Sequence, residues 1–200
     1  MVYRNIENLR AFGDMDTDVF TAPLGTTFTP SAATLADPGA SWPDLGWLTE
    51  DGGEEGFSVD TTKFKVLQGG KTAKTKATGL EKTFGVTAAE SNPHSFTLYY
   101  ALTKAPTVAG TAGDAVATIE IPDGARTIAR AVLLKFTEGE IIYIRHNTRA
   151  EISDRGSVTY ANGDLAARNF TFDLLGKDYW YTNDPAFTQA TAEDWALLIG

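Results

Sequence analysis

The strongest constraint on the fold is an alternation of apolar and polar residues with a period of two, clearest between Ile128 and Ile144. One side of this stretch carries Ile128, Arg130, Val132, Leu134 and Phe136, and the other carries Ala129, Ala131, Leu133 and Lys135. Successive side chains of a strand point to opposite faces, so this pattern indicates a strand. Glu138-Gly139 suits a tight turn, and Ile141 to Ile144 then returns. The stretch therefore predicts a β-hairpin.

Further strands are predicted along the chain by the same criterion. They cover Leu45 to Glu50, Phe57 to Val59, Phe64 to Val66, Leu80 to Thr87, and Phe170 to Leu174. Asp51-Gly52-Gly53 has the composition of a turn between strands. The apolar positions of the predicted strands, together with those of one helix, give the predicted core: Phe57, Val59, Phe84, Val86, Phe96, Tyr100, Val132, Leu134, Ile142, Phe170 and Phe172.

One helix of about three turns is predicted in mid-chain. Asn92 can cap it, Pro93 suits its first position, and Pro106 would stop it. Thr191, with Asp194 three residues later, predicts a short terminal helix. Many short strands with one central helix favour a mainly β domain, a β-sandwich or open barrel with one flanking helix.

Length and composition predict a single domain. The 200 residues are 42% apolar, and no cysteine is present to form a disulfide or a thiolate metal site. Residues 1–43 are rich in Thr, Ala, Pro, Gly and Asp, so we expect an extended N-terminal arm there, ordered on contact with a partner, before a β-rich domain at residues 44–200. The sequence shows no export signal and no membrane-spanning stretch, which predicts a protein without membrane association.

Charge is distributed unevenly along the chain. The net charge is −9 over residues 1–60, +5 over residues 61–80 and −5 over residues 81–200. Acidic and basic segments of one chain can neutralise each other within the fold or meet between identical subunits. Both can equally be solvated faces, and the sequence leaves these readings open.

The basic segment, here called the lysine island, comprises Lys63, Lys65, Lys71, Lys74 and Lys76. Gly70-Lys71-Thr72 matches the end of a phosphate-binding loop, but the spacing would require glycine at position 65, which is Lys65. Nucleic-acid binding is disfavoured because Phe64 is the single aromatic residue of the segment and the sequence pI is about 4.7. A nucleotide and a nucleic acid are therefore disfavoured as ligands of the island, which leaves a protein partner or a solvated face.

No constellation of catalytic or metal-binding residues emerges. The stretch Asp14 to Asp18 resembles the start of a calcium loop, but Val19 and Gly25 occupy the positions that require Gly and Glu. His94 and His146 are the only histidines, and each is predicted to be a polar surface or capping residue. Glu138 and Glu140 flank the hairpin turn, where we expect them to face water. The sequence accordingly predicts no enzyme, no cofactor and no metal.

Two stretches together resemble a known family. They are DLGWLTEDGGEEGFSVDTTKFKVLQGGKTAKT, residues 44–75, and KTFGVTAAESNPHSFTLYYA, residues 82–101. Their shared pattern comprises Leu-Thr-Glu-Asp-Gly at a strand end, a Gly-Gly break, a Lys/Thr-rich extended segment, Thr83-Phe84 and an Asn-Pro helix start. This pattern is similar to the major tail proteins of long non-contractile-tailed bacteriophages, in particular those of actinobacteria.

The resemblance implies a tail-tube fold, with an extended N-terminal arm and a long hairpin that contact neighbouring rings. It implies a structural virion protein whose hexameric rings stack into the hollow tail tube that conducts DNA to the host. Implied partners are copies of itself, the tape-measure protein, the tail terminator and the distal tail proteins, with DNA passing through the lumen without specific binding. Synthesis in the host cytoplasm is implied. Many relatives carry an immunoglobulin-like C-terminal domain, for which residues 44–200 leave no room.

The resemblance and the charge pattern together predict which residues contact other subunits. The basic partners are the five residues of the lysine island, and the acidic ones are Asp14, Asp16, Asp18, Glu50, Asp51, Glu54 and Glu55. The alternative hypothesis is a separate β-sandwich module that binds a carbohydrate or a protein. A carbohydrate would be bound through exposed aromatic residues, namely Trp42, Trp47, Trp180 and Tyr181.

Overall fold

A computed structural model describes residues 6–13, 17–67, 71–111, 113–124 and 126–199. The strands are β1 (Asp18–Ala22), β2 (Leu48–Lys65), β3 (Thr72–Ala88), β4 (Thr107–Ala109), β5 (Val116–Thr118), β6 (Ala129–Glu138), β7 (Ile141–Arg155), β8 (Arg168–Leu174) and β9 (Asp178–Thr182). The helices are a 3₁₀ turn (Ile6–Asn8), α1 (Ala32–Ala36), α2 (Pro93–Tyr100), α3 (Pro185–Thr188) and α4 (Ala192–Ile199). None of the described helices is long and apolar enough to cross a bilayer.

Seven strands form one antiparallel sheet in the order β1-β6-β7-β8-β3-β2, and β9 also pairs with β7. Strand β7 is long enough to pair with β8 through its second half and with β9 through its first half. Strands β4 and β5 make a separate two-stranded sheet. The prediction of a mainly β fold is confirmed.

One face of the sheet carries the larger hydrophobic core. Its members come from β1, β3, β6, β7 and β8, and are covered by Leu45 and by Leu98 of α2. The buried positions of β8 alternate from Arg168 to Leu174, as a half-buried strand requires. The core prediction is confirmed for six residues, each at most 2% exposed: Phe84, Val86, Val132, Leu134, Phe170 and Phe172. Phe96, Tyr100 and Ile142 are half-buried.

The core prediction is wrong for two residues. Phe57 and Val59 are 63% and 46% exposed. They alternate with polar neighbours as core residues do, but β3 pairs with β8 only from Thr83 to Ala88. Phe57 and Val59 lie in the part of β2 beyond that pairing, where the described residues place no second layer over either face.

The N-terminal segment packs on the opposite face, contrary to the domain boundary predicted at residue 43. Phe20, Phe28, Leu35 and Trp42 are buried there against Leu133 and Ile144. Strand β1 pairs with β6 through five residues. It is the first strand in the sheet order and is therefore an edge strand. These four apolar residues are spaced irregularly in the sequence and show neither a strand nor a helix period. They come together only because they pack on the sheet. From residue 17 onward the segment is therefore part of the domain.

Helix α2 begins as predicted. The Asn92 side chain accepts a hydrogen bond from the Ser95 amide at 2.8 Å, and the Ser95 hydroxyl accepts one from the Asn92 amide, which completes a capping box. The helix ends at Tyr100, because Ala101 adopts a left-handed conformation with φ of 53°. It is thus eight residues long, shorter than predicted.

Strands β2 and β3 form a long two-stranded ribbon that leaves the sheet. Beyond Thr83, β3 pairs with β2 alone, as far as the pair Lys65 and Thr72. The turn predicted at Asp51-Gly52-Gly53 is instead a bulge within β2, where Gly52 takes a φ of 67°. Gly53 packs closely against the Phe84 ring, so a Cβ at this position would come within 2.3 Å of Phe84 Cζ. Glycine permits both a turn and a bulge, so its presence did not distinguish them.

Candidate assembly surfaces

The lysine island occupies the outer part of the ribbon. All five of its lysines are exposed, and none forms an ion pair within the part of the chain that the structure describes. Because Lys74 lies opposite Phe64 and Lys76 opposite Thr62, these two lysines share one face of the ribbon. The island is therefore a concentrated positive charge that forms no ion pair with the described residues of its own subunit.

The predicted acidic contact residues are placed apart from one another. Glu50, Asp51 and Glu54 lie exposed on the inner part of the ribbon, where no ion pair with the described residues involves them. Asp18 begins β1 on the far side of the sheet, and Asp14 and Asp16 lie outside the described residues. The ribbon alone thus runs from an acidic inner part to a basic outer part.

Glu55 belongs to an ion cluster where the ribbon leaves the sheet. Arg145 pairs with both Glu55 and Asp178, and its Nη2 lies 2.6 Å from Asp178 Oδ2. Lys82 donates a hydrogen bond to the same Asp178 oxygen at 3.1 Å. Burial alone would raise the pKa of Asp178, but the bonds from Arg145 and Lys82 outweigh it and hold that pKa below its ordinary value. These contacts tie β2, β3, β7 and β9 together.

A second candidate surface is an apolar groove beside β9. Its volume is about 1000 Å³. The apolar side chains that line it come from the N-terminal segment, β7, β9, α3 and α4, and include Phe12, Leu35, Tyr143, Trp180, Phe187 and Trp195. Trp180 is 50% exposed, Phe187 45% and Trp195 39%. Aromatic side chains left open in a concave surface are typical of a binding site.

Residues 10–13 lie at one end of this groove. Arg10 contacts Asp184 with both Nε and Nη2 at 2.8 Å, and Tyr143 donates its hydroxyl to the same carboxylate. Burial would raise the pKa of Asp184, but the bonds from Tyr143, the Ala186 amide and Arg10 together lower it. Burial, with the bond to Asp184, raises the pKa of Tyr143 to about 12.

The two carboxylates at the β6–β7 turn are not equivalent. Glu138 accepts a hydrogen bond from the Ala11 amide at 3.1 Å and lies 3.9 Å from Arg10, while its side chain stays 34% exposed, so it faces water only in part. Glu140 is exposed, and its carbonyl accepts a hydrogen bond from Asn183, which lines the groove. The Glu138 side chain therefore lies beside the segment that contributes Phe12 to the groove, and the Glu140 backbone lies beside Asn183.

The prediction of a polar surface or capping residue is wrong for His146. His146 is 5% exposed among Phe28, Trp42, Tyr179 and Tyr181, and neither ring nitrogen has a hydrogen-bond partner in the described structure. Burial lowers the pKa of His146, with Asp178 opposing it in part. His94 is half-buried, its Nε2 is 2.8 Å from the Thr21 hydroxyl, and burial lowers its pKa also. His146 was missed because its neighbours are distant in sequence.

The groove cannot be predicted from local sequence patterns, for the same reason. Trp180 and Tyr181 were noted as exposed aromatic residues, but nothing local joins them to Phe12 or Trp195. Of the aromatic residues considered for carbohydrate binding, Trp42 is 3% exposed, packed against Phe28, while Trp47 is 64% exposed. They therefore do not form one aromatic surface.

The comparison with known families agrees with the fold. A family model described as phage tail tube protein matches residues 15–192, which include the sheet, the ribbon and nearly all of the groove. No curated protein is similar enough in sequence to match. Since the family model spans most of the chain, this protein belongs to the phage tail tube protein family and is a structural subunit of a bacteriophage tail tube.

Proposed function

We propose that this subunit forms hexameric rings, which stack into the hollow tube that conducts DNA from capsid to host. The family membership supports a tube made of many copies, and the sixfold symmetry rests on the resemblance described above. A ring needs one head-to-tail contact between subunits, and stacking needs a second, so each subunit must present several complementary surfaces.

The observation that carries the proposal is the ribbon. Its two strands have 18 and 17 residues, and residues 57–65 and 72–82 extend beyond the pairing with β8, over roughly 30 to 35 Å at about 3.3 Å per residue. An isolated two-stranded hairpin is marginally stable in water, yet this one leaves Phe57, Val59 and Leu80 exposed. Val59 and Leu80 are directly opposite, so they form one apolar face. A neighbouring copy that covered this face would complete the ribbon.

Charge supports the same arrangement. We propose that the lysine island contacts carboxylates of a neighbouring copy, since it forms no ion pair with the described residues of its own subunit. With a net charge of −9, the subunit is rich in such carboxylates. An overall negative tube would also repel the DNA phosphates that pass through it, which favours transit over binding.

The role is structural and located in the virion, without catalysis. We propose that the tube ends contact the tail terminator and the distal tail proteins, and that the lumen holds the tape-measure protein before DNA passes. The predicted contacts of Asp14, Asp16 and Asp18 remain part of the proposal.

Electron microscopy of purified protein tests the lysine contact. The triple variant Lys71→Glu, Lys74→Glu, Lys76→Glu should remain a folded monomer by circular dichroism and fail to form tubes. A matched control, Lys104→Glu, Arg126→Glu, Lys177→Glu, makes the same change in net charge at exposed positions outside the ribbon and should form tubes. Normal tubes from the first variant would show that the island is a solvated face. Absence of tubes from the unmodified protein, at any concentration, would contradict the proposed function itself.

A further inference from the structure

We propose that the groove beside β9 receives the outer end of the ribbon from a second copy of this chain. The inference rests on the proposed function and names the surface that the ribbon contacts. It joins two features that the single subunit leaves incomplete, an apolar recess and a projecting strand pair.

The first argument is the open strand edge beside the groove. Strand β9 pairs with β7 along one edge, from Asp178 to Thr182, and the described strands provide no partner for its other edge. Trp180, Tyr181 and Thr182 of this strand all line the groove. A free edge offers backbone donors and acceptors to an added strand, and side-chain pockets beside it give specificity. The groove therefore suits an extended segment.

The second argument is that the outer end of the ribbon carries apolar side chains without cover. Phe64 is 50% exposed, Val66 41% and Leu67 96%. None of them lines the groove of its own subunit. The groove volume of about 1000 Å³ is at the upper end of the range that binds compact ligands, roughly 300 to 1000 Å³. It has room for a few side chains of this size.

The third argument is charge complementarity. The ribbon end presents the lysine island around these apolar residues, whereas acidic residues lie next to residues of the groove: Glu138 bonds to the Ala11 amide, and the backbone of Glu140 bonds to Asn183. Arg10 pairs with both Glu138 and Asp184, so the acids outnumber it there. A positive, apolar end thus meets an apolar recess with an acidic border, which sets orientation as well as affinity. A second copy of the chain is the partner that supplies such an end.

Cross-linking in mixed tubes tests this contact directly, because the chain has no cysteine of its own. One chain carries Leu67→Cys at the ribbon end, and the other carries Ala32→Cys, an exposed alanine that lines the groove. The two are mixed in equal amounts, assembled, treated with a short bismaleimide and separated on a denaturing gel. Peptide mass spectrometry identifies the linked pair. The control replaces Leu67→Cys with Leu165→Cys, which is 69% exposed and outside the groove.

The expected result is a heterodimer band from Leu67→Cys with Ala32→Cys at least tenfold stronger than the control band. A companion pair of variants, Leu67→Asp and Leu165→Asp, should separate in the same way, with tubes lost only for Leu67→Asp. Tubes that form normally while the Leu67 and Ala32 chains link no more than the control would overturn the inference and leave the proposed function standing. Absence of tubes from the unmodified chain would overturn both.

Discussion

The inner sheet and the ribbon are built from the same kind of strand, yet they differ in what holds them. In β6, β7 and β8 nearly every inward residue is buried, and the hydrophobic core covers the sheet. In the outer ribbon no residue from Ser58 to Lys65 is buried, and among the described residues it is held by the contacts between its own two strands. The sheet has its own hydrophobic core, whereas the ribbon gains a second layer only in the proposed assembly. A subunit that must first fold and then assemble needs both kinds of region.

The largest expected effect comes from removing one phenylalanine ring in each region. Phe172→Ala in β8, where the side chain is 0% exposed, should lower the free energy of unfolding by about 4 kcal/mol. Phe57→Ala on the ribbon, where the ring is 63% exposed, should change it by less than about 0.5 kcal/mol. Urea denaturation of the monomers measures both.

Tube assembly should be impaired more by Phe57→Ala than by Phe172→Ala, the reverse of the order expected for monomer stability. Phe172→Ala tubes should form wherever the monomer is folded, whereas Phe57→Ala should raise the protein concentration needed for assembly. Equal losses of monomer stability from both variants would show that the ribbon is packed within the subunit, and the comparison would fail.

A smaller loss is expected at the contact between the N-terminal segment and the groove. Asp184→Asn removes the charge that accepts hydrogen bonds from Arg10 and Tyr143, on a residue that is 1% exposed. Breaking this pair should lower the free energy of unfolding, because Asp184 is buried and Arg10 loses the charge that it contacts at 2.8 Å. Denaturation of the variant at pH 7 measures the loss, with Asp164→Asn, an exposed change, as control. A loss equal to that of the control would contradict the geometry.

The smallest effect expected is a pH dependence located at His146. Its pKa is lowered in the folded protein, so the unfolded chain binds the proton more readily. Stability should therefore be complete above the unfolded pKa of about 6.5 and fall as the pH drops below it. His94 acts in the same direction, whereas Asp178 and Asp184, whose pKa values are lowered, contribute stability that is lost only below about pH 4.

Thermal unfolding between pH 5 and 7.5 isolates the histidines from these carboxylates. His146→Phe should reduce the change of melting temperature with pH in that window. The double variant His94→Gln, His146→Phe should abolish this change. If the melting temperature of both variants varied with pH as in the unmodified protein, the titrating group would not be either histidine.

The sequence predicted the parts of the fold that local physics determines. The β6–β7 turn at Gly139, which adopts a φ of 55°, and the Asn92 cap of α2 followed from turn and capping chemistry. The alternation of Phe170, Phe172 and Leu174 marked β8 and its buried face. Each of these features depends on residues a few positions apart.

Features that depend on distant contacts were beyond such reasoning. The alternation of Phe57 and Val59 is that of a buried strand, and only the end of the β3–β8 pairing leaves them exposed. Phe12 and Trp195 both line the groove although they are far apart in the sequence. The His146 ring likewise contacts Phe28 and Tyr179. Among the predicted contact residues, the exposure of the lysines followed from their charge, but the pairing of Glu55 with Arg145 did not.

Hydrogen exchange of the backbone amides, compared between monomer and assembled tube, tests the central claim most directly. In the monomer, amides of β6, β7 and β8 should be protected while those of the ribbon at residues 58–65 and 72–80 exchange rapidly. In the tube, the ribbon should become protected because a neighbouring copy covers it. Ribbon amides that are as protected in the monomer as those of β7, or that remain unprotected in the tube, would contradict the account.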